Sequence, residues 1–575
     1  MPLPLEIPAE PQDRVMRQLV AAILFEGLVP FRTEAPDHLF WTLDGRDYRC
    51  QASIGAFGRP RISPHSIELK DDRDVWVAAS LPGIVMGLPG NGITRGKLLR
   101  ELENTIALCK WNEDKIPARN RRDMGFADLD GALHEGHPYH PCFKARYGFT
   151  LNDNRLYGPE AAEPFQLVWA LHARENIRQV LGADELTFWR RELDQEVWNE
   201  IDAARHARGL SWQKFALVPM HPWQWRRLKD GAGRDLIATG RLHGLGQLGD
   251  RYIASQSLRT LHNLDRPWTA SIKLPLDVVN TSSRRILDPH SVCTAPVLST
   301  WITGMVDSDP AFSDRYPLAI LKEYAGVLAE HDGELAGQIG AIWRESARTG
   351  LRPGEEVIPF NALMMLEADQ KPFVQPWIEQ YGLMPWLNRL LEITVLPVWH
   401  LLVHHGLAVE AHGQNMLLVH RDGWPVRLVL RDFHESVEFC PTFLRDPDAA
   451  PDFLSLDARY REAAPDQYYW TDNLDSLREL VADTLFVYNL AEIAHLFDHA
   501  YQMPEQNFWK RVETILSTYA TEHDASARMA ALGYDQPDVL TESLLTRKLL
   551  AREPEYHHTA PNVFSKAVAE RRIMP

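Results

Sequence analysis

The sequence predicts an α+β protein, with antiparallel sheets through its middle and a helical C-terminal part. Three observations predict it. Residues 14–28 (RVMRQLVAAILFEGL) carry apolar side chains at helical spacing. Residues 215–220, 251–256 and 270–274 read as strands, and the glycines of 240–249 read as hairpin turns between them. Beyond residue 474 the spacing is helical again, over 474–502, 506–521 and 542–552.

The remaining elements follow in order. Strand-like runs lie at 39–43 and 48–52, and a helix at 96–109. A connector rich in charge (112–130) leads to EGHPYHPCFKARYG (135–148). Helices are expected at 166–180, 187–208 and 318–335. A helix from about 387 precedes an extended strand through 410–415, then a hairpin turned at Arg421-Asp422-Gly423. Boundaries near 165 and 385 give three units, 1–165, 166–385 and 386–575. No internal repeat or low-complexity segment is visible.

Composition narrows the function. The 575 residues are 45% apolar and 24% charged, with a formal net charge of −17. A nucleic-acid binder needs a dense Lys/Arg surface, so that class is excluded, while a small anion bound by locally focused cations is not. Five scattered cysteines (Cys50, Cys109, Cys142, Cys293, Cys440) form no CxxC and read as reduced thiols of a cytoplasmic protein. The N-terminal MPLPLEIPAEPQD lacks the positive and apolar regions of a signal peptide. The longest apolar window, 390–407, is broken by Glu392, Pro397, His400, His404 and His405, so no membrane span is expected.

Four segments carry chemistry. In Glu410-Ala411-His412-Gly413-Gln414-Asn415, an extended strand would turn Glu410, His412 and Gln414 to one face, with small Ala411 and Gly413 opposite. A carboxylate, an imidazole and a carboxamide together need a partner such as a metal ion or an anion. In the second segment, Ser257, Arg259 and Thr260 precede Lys273, Thr281 and Arg285. Hydroxyls, guanidinium and ammonium are the mixture that phosphate wants. An ordinary solvated strand edge would carry the same residues. Even spacing along a strand would put Thr281 and Arg285 on the face of Lys273. The third segment holds His137, His140, Lys144 and Arg146 in a loop stiffened by two His-Pro pairs, suited to reach over a polyanion. A Pro-stiffened surface loop is the plain alternative, and a zinc site lacks ligand spacing. The fourth, His221-Pro222-Trp223-Gln224-Trp225, follows a strand, and its tryptophans fit a ligand wall or the core equally. The order His412, Asn415, Asp432 also matches that of kinases, which keeps a small-molecule phosphotransferase open. No Gly-rich phosphate loop accompanies it, and Gln414 stands near where a kinase carries its catalytic aspartate.

Taken together, EGHPYHPCFKARYGF (135–149), HPWQW (221–225), QSLRTL (256–261), IKLPLDVVNTSSRR (272–285), EAHGQN (410–415) and RDF (431–433) resemble, in this order, the IucA/IucC-type synthetases that build siderophores independently of nonribosomal peptide synthetases. The wording is nearest to the aerobactin and desferrioxamine branch. Arg547-Lys548-Leu549 and Pro561-Asn562 resemble the family's closing motif. The resemblance implies a cupped hand of thumb, fingers and palm. It implies an ATP- and Mg²⁺-dependent ligase that adenylates a citryl- or succinyl-type carboxylate and joins it to an amine or hydroxyl, releasing AMP and pyrophosphate. Family members are commonly homodimers. The implied roles put phosphates and carboxylate on Ser257, Arg259, Thr260, Lys273, Thr281 and Arg285, with His137, His140 and Lys144 closing from the first unit. Gln414 and Asn415 line the adenylate, Glu410, Asn415 and Asp432 take the metal side, and His412 faces the reacting atoms. A non-catalytic binder of citrate or siderophore is a further alternative.

Overall fold

The computed structural model describes residues 10–35, 37–550 and 556–565. The N-terminal residues 1–9 and Arg552, at the end of the expected last helix, lie outside them.

Helix Pro11–Phe25 opens the fold and buries Val15, Leu19, Val20 and Ile23, one stripe at helical spacing. An antiparallel meander follows, including His38–Leu43 and Arg46–Ile54 as expected, then helices Leu81–Gly87 and Gly92–Lys115. The central sheet has eight strands, every neighbouring pair antiparallel. Its order is Ile177–Val180, Glu323–Ala329, Ile339–Arg344, Ser271–Lys273, Thr260–Asn263, Leu242–Ala254, Phe165–Ala173 and Phe215–Met220.

Three expectations fail here. Residues 166–180 form strands, not a helix. Residues 318–335 form strands Leu318–Ile320 and Glu323–Ala329, and Gly244, Gly246 and Gly249 lie within strand Leu242–Ala254, at irregularities of its register. Strand Phe165–Ala173 is buried on both faces, with Trp169 against Trp189, so it lacks the alternation that distinguishes strand from helix. A helix that the sequence did not announce, Pro289–Ser308, covers the sheet. Gly326 permits it, because a Cβ there would meet the Val292 carbonyl at 2.1 Å.

The last part holds helix Leu383–His400, a wide π turn Leu401–His405, the hairpin Met416–Arg421/Trp424–Leu430 and the helical run Leu474–Tyr501. The hairpin turns at Asp422-Gly423 as expected. Run Leu474–Tyr501 is long and apolar enough to cross a membrane, but 83% of its apolar window is buried inside the protein. Strands Leu318–Ile320 and Glu356–Pro359 join this hairpin in a four-stranded sheet, where Leu318–Ile320 pairs parallel to Trp424–Leu430. The sheets therefore do not divide at residue 385. The first and last parts share one core, while the eight-stranded sheet keeps its own.

Two buried carboxylates lock the first part in place. Glu26 accepts from Leu545 N, Thr546 N, Thr546 Oγ1 and Tyr139 OH at 2.7–2.9 Å, which joins the first helix to the start of helix Leu544–Leu550. Glu160 takes Lys144 Nζ at 2.6 Å and both Arg146 terminal nitrogens at 2.7 and 2.8 Å. All three side chains are buried. Burial pushes the Glu160 carboxyl up, but Arg146 and Lys144 outweigh it and hold it far below the usual range.

Glu160→Gln leaves two buried cations short of charge. It is expected to destabilise by about 3–5 kcal/mol, read as a lower urea midpoint. A carboxyl depressed by folding stabilises above its unfolded value of about 4.3 and loses that contribution as pH falls below it. The wild-type midpoint should therefore drop from pH 5 to pH 3 by more than that of the variant.

Candidate active site

The site lies where the edge of the hairpin meets the eight-stranded sheet. Thr260 and Lys273 are direct partners across neighbouring strands, and Ser271 sits opposite Arg344 on the next. Cross-strand partners face the same way, so the sheet presents a hydroxyl and an ammonium together. Lys273 Nζ lies 3.0 Å from His434 Nε2 and 3.4 Å from Asp432 Oδ1. Arg344 Nη1 takes Asp432 Oδ2 at 2.7 Å. His434 Nδ1 meets buried Glu323 Oε1 at 2.6 Å, while Glu323 Oε2 accepts from the backbone of Phe433 and His434. With Nδ1–H given to Glu323, His434 Nε2 accepts from Lys273. Burial lowers the Lys273 pKa and Asp432 partly restores it. Burial raises Asp432, but Arg344 and Lys273 hold it well below the carboxylate range.

A second group is cationic and short of anions. Arg259 donates to the Ile286 carbonyl and lies 3.7 Å from Glu435. Arg285 donates to the Asn280 carbonyl at 2.9 Å, makes no ion pair among the described residues, and leaves Nε without a partner. Burial, then the charge of Arg259, bring Arg285 down to about 10. Thr260 Oγ1 is buried and also lacks a partner. Asp288 shares the space with Glu435. Burial and that neighbour raise it to about 6, while Glu435 falls to about 2 because His434, Arg259 and Lys273 outweigh its burial.

The hexapeptide is not the expected strand. Strand Leu407–Val409 ends before it, and 413–415 is a turn into Met416–Arg421. Gly413 sets this shape, since a Cβ there would meet Asn361 Oδ1 at 1.9 Å. Glu410 and His412 still meet, at 3.5 Å. Asn415 Nδ2 donates to the Glu410 carbonyl at 3.1 Å and lies 3.3 Å from its carboxylate, which also accepts from Ser436. His412 Nδ1 accepts from Gln414 N at 3.1 Å, so the ring proton sits on Nε2, facing Glu410. His412 is thereby a donor, not a base. Gln414 gives its carbonyl to Arg431.

The first part adds His137 and His140, with ring centroids 6.4 Å apart. His137 Nδ1 accepts from Tyr139 N and His140 N, and His140 Nδ1 from Cys142 N, so each Nε2 carries a hydrogen. Burial, with His412 the next largest influence, lowers His137 to about 3. Burial, with Lys548 next, pushes His140 well below its ordinary value. Both are neutral donors at pH 7, and buried His140 Nε2 has no partner.

Several expected residues stand elsewhere. Lys144 belongs to the Glu160 pair and is not brought here. Thr281 does not share a strand face with Lys273, because Ser271–Lys273 ends and a separate two-stranded hairpin begins at Val279. Thr281 has φ 58°, and its carbonyl accepts from Lys548. Ser257 Oγ accepts from Thr260 N and pairs with Ser255, holding the turn. Trp223 packs with Phe149, Leu258, Leu276 and Val278, a core role. Asp432 is taken up by Lys273 and Arg344 rather than joining Glu410 and Asn415, and it lies instead with Glu323 and His434, whose ligand atoms fall within 4.8 Å of one another. Sequence reasoning missed Glu323, Arg344, His434 and Glu435. The last two directly follow Asp432-Phe433 and were within reach, whereas Glu323 lay in a stretch read as helix. Leu258, Thr281 and Asp432 all adopt left-handed φ (66°, 58° and 64°), a conformation that β-branched Thr281 strongly resists, and such strain concentrates at functional sites.

Gly413→Ala should destabilise by about 1–3 kcal/mol. Adding Asn361→Ala should restore part of it, and denaturant unfolding of both variants measures this.

The IucA / IucC family profile matches residues 125–365, and that of ferric iron reductase FhuF-like transporters matches 384–570. A citryl-spermidine/3,4-dihydroxybenzoyl-citryl-spermidine:spermidine ligase of Bacillus anthracis is 32% identical over 96% of this chain and 93% of its own. The structure of the petrobactin biosynthesis protein AsbB from Bacillus anthracis superposes with TM-score 0.90, at 29% identity, over 98% of this chain and 96% of that one. An ATP-bound aerobactin synthetase, IucA of Klebsiella pneumoniae, shares the fold at TM-score 0.75 and 18% identity, over 97% of this chain and all of that one. By its sequence and its synthetase fold, the chain belongs to the IucA / IucC family of siderophore synthetases.

Proposed function

We propose that this chain is an AMP-forming ligase of siderophore assembly. A carboxylate oxygen attacks the α-phosphorus of ATP, the bond to the β-phosphate breaks, and pyrophosphate leaves with the electron pair. An amine nitrogen then attacks the acyl carbon, the acyl–O bond breaks, AMP departs and the nitrogen loses its proton. The observation that carries this reading is Arg285, a half-buried guanidinium that makes no ion pair among the described residues, set against Arg259. Such a pair calls for an anion, and adenylation brings two, phosphate and carboxylate, whose mutual repulsion is the first obstacle. Lys273 and Arg344 extend the positive wall. His137 and His140 offer neutral N–H donors that orient oxygens without adding charge, and His412 presents its Nε2–H beside them. Glu410 and Asn415 would hold Mg²⁺ through oxygen, and the ion would neutralise phosphate charge. The fold-level likeness to an ATP-bound synthetase supports the nucleotide.

For substrate, the name of the Bacillus anthracis ligase points to a citryl group already carrying one amide, with a polyamine as acceptor. A succinylated hydroxamate is the second candidate class. The five unpaired cysteines suit a reducing cytoplasm, where ATP is at hand.

Pyrophosphate release, screened over citrate, citryl-amines and succinylated hydroxamates with several polyamines, should require both partners and yield AMP. ADP as the sole nucleotide product would replace this reading with a kinase. Arg285→Ala should lower turnover by about 10²–10³ with its unfolding midpoint near wild type.

A further inference from the structure

Outside this site, one side-chain cluster is built like a metal centre. Asp309, the residue ending helix Pro289–Ser308, faces His400, His404 and His405. Asp309 Oδ1 accepts from Ala311 N at 2.9 Å, which fixes the carboxylate and turns Oδ2 toward the histidines. Nε2 of His400, His404 and His405 lies 3.0, 3.8 and 2.9 Å from that oxygen. One ligand atom from each residue falls within 4.8 Å of all the others. Tetrahedral zinc with bonds of about 2.0–2.1 Å spaces its ligand atoms by about 3.3 Å, inside the range seen here.

The backbone is shaped for this. On a regular helix only His400 and His404, four apart, share a face. The π turn Leu401–His405 widens the helix so that the residue five along joins them. His400 Nδ1 meets Tyr519 OH at 2.8 Å, the outer partner that fixes a metal-bound imidazole. Burial, the largest influence on each, lowers His400 and His404 to about 4 and lowers His405, so all three are neutral at pH 7. The other groups facing the cluster are Arg445, on His404 Nε2 at 2.6 Å, His523, which is paired with Tyr316, and Arg528, which is held on the Val403 and Phe443 carbonyls and acts on His405. Arg445 lies at the surface, and its guanidinium can turn outward when a cation arrives.

We propose that Asp309, His400, His404 and His405 form a four-ligand zinc site that clamps helix Pro289–Ser308 to helix Leu383–His400. All four positions come from protein, the mark of a structural rather than a catalytic zinc.

The test is titration of the chelator-stripped full chain with Co²⁺, read by the visible absorption of tetrahedral cobalt. One equivalent should bind and be displaced by Zn²⁺. His404→Ala, at the exposed rim, should weaken binding by at least about 100-fold, since loss of an outer partner alone costs 10–100-fold. Asp432→Asn should leave the signal intact, and Arg445→Gln should tighten binding. No tetrahedral signal in the wild type, or an unchanged signal in correctly folded His404→Ala, would overturn the proposal.

Discussion

The carboxylate of Asp432 is the joint on which the site depends. It sits at the end of the hairpin and takes cations from two strands of the other sheet, Arg344 and Lys273. Beside it Glu323 reaches back from that sheet to cap the backbone of Phe433 and His434. These contacts tie two sheets that otherwise belong to separate cores. In low dielectric a charge pair is strong but offsets its desolvation only where its geometry is excellent, so these ions fix how the two sheets meet. The left-handed φ of Asp432 shows that the backbone bends to meet this demand.

That joint explains the division of charge around it. Where Asp432 satisfies Lys273 and Arg344, the neighbouring Arg259 and Arg285 remain undersupplied. The histidines above them are kept neutral by burial, so they bring hydrogen bonds without adding to the repulsion. Groups already held by ion pairs and hydrogen bonds would need little rearrangement to meet the anions of the proposed reaction, the condition under which electrostatics lowers a barrier.

Much of this was legible in the chain. Motifs spread from His137 to Asp432 pointed to one ligand site, and the structure draws most of them together. What was not legible has physical causes. Phe165–Ala173 and Glu323–Ala329 are covered on both faces, so their apolar runs carry no period, and Glu323 went unseen with them. Lys144 and Arg146 looked like ligand-facing cations because their partner, Glu160, is a later residue that spacing alone does not connect to them. The hexapeptide gave its residue types truly but not its shape, which depends on Asn361, a contact distant in sequence.

The contact between Glu26 and the start of helix Leu544–Leu550 has a consequence for how the protein is born. Residues 26 and 545 are 519 apart along the chain. At roughly 5–20 residues per second, the ribosome needs about half a minute to nearly two minutes to deliver the second after the first. Through that interval the opening helix has its apolar stripe but not the last segment of its core, and Glu26 has no amides to receive. The first part of this protein is therefore finished last, only after the segment around residue 545 has been made.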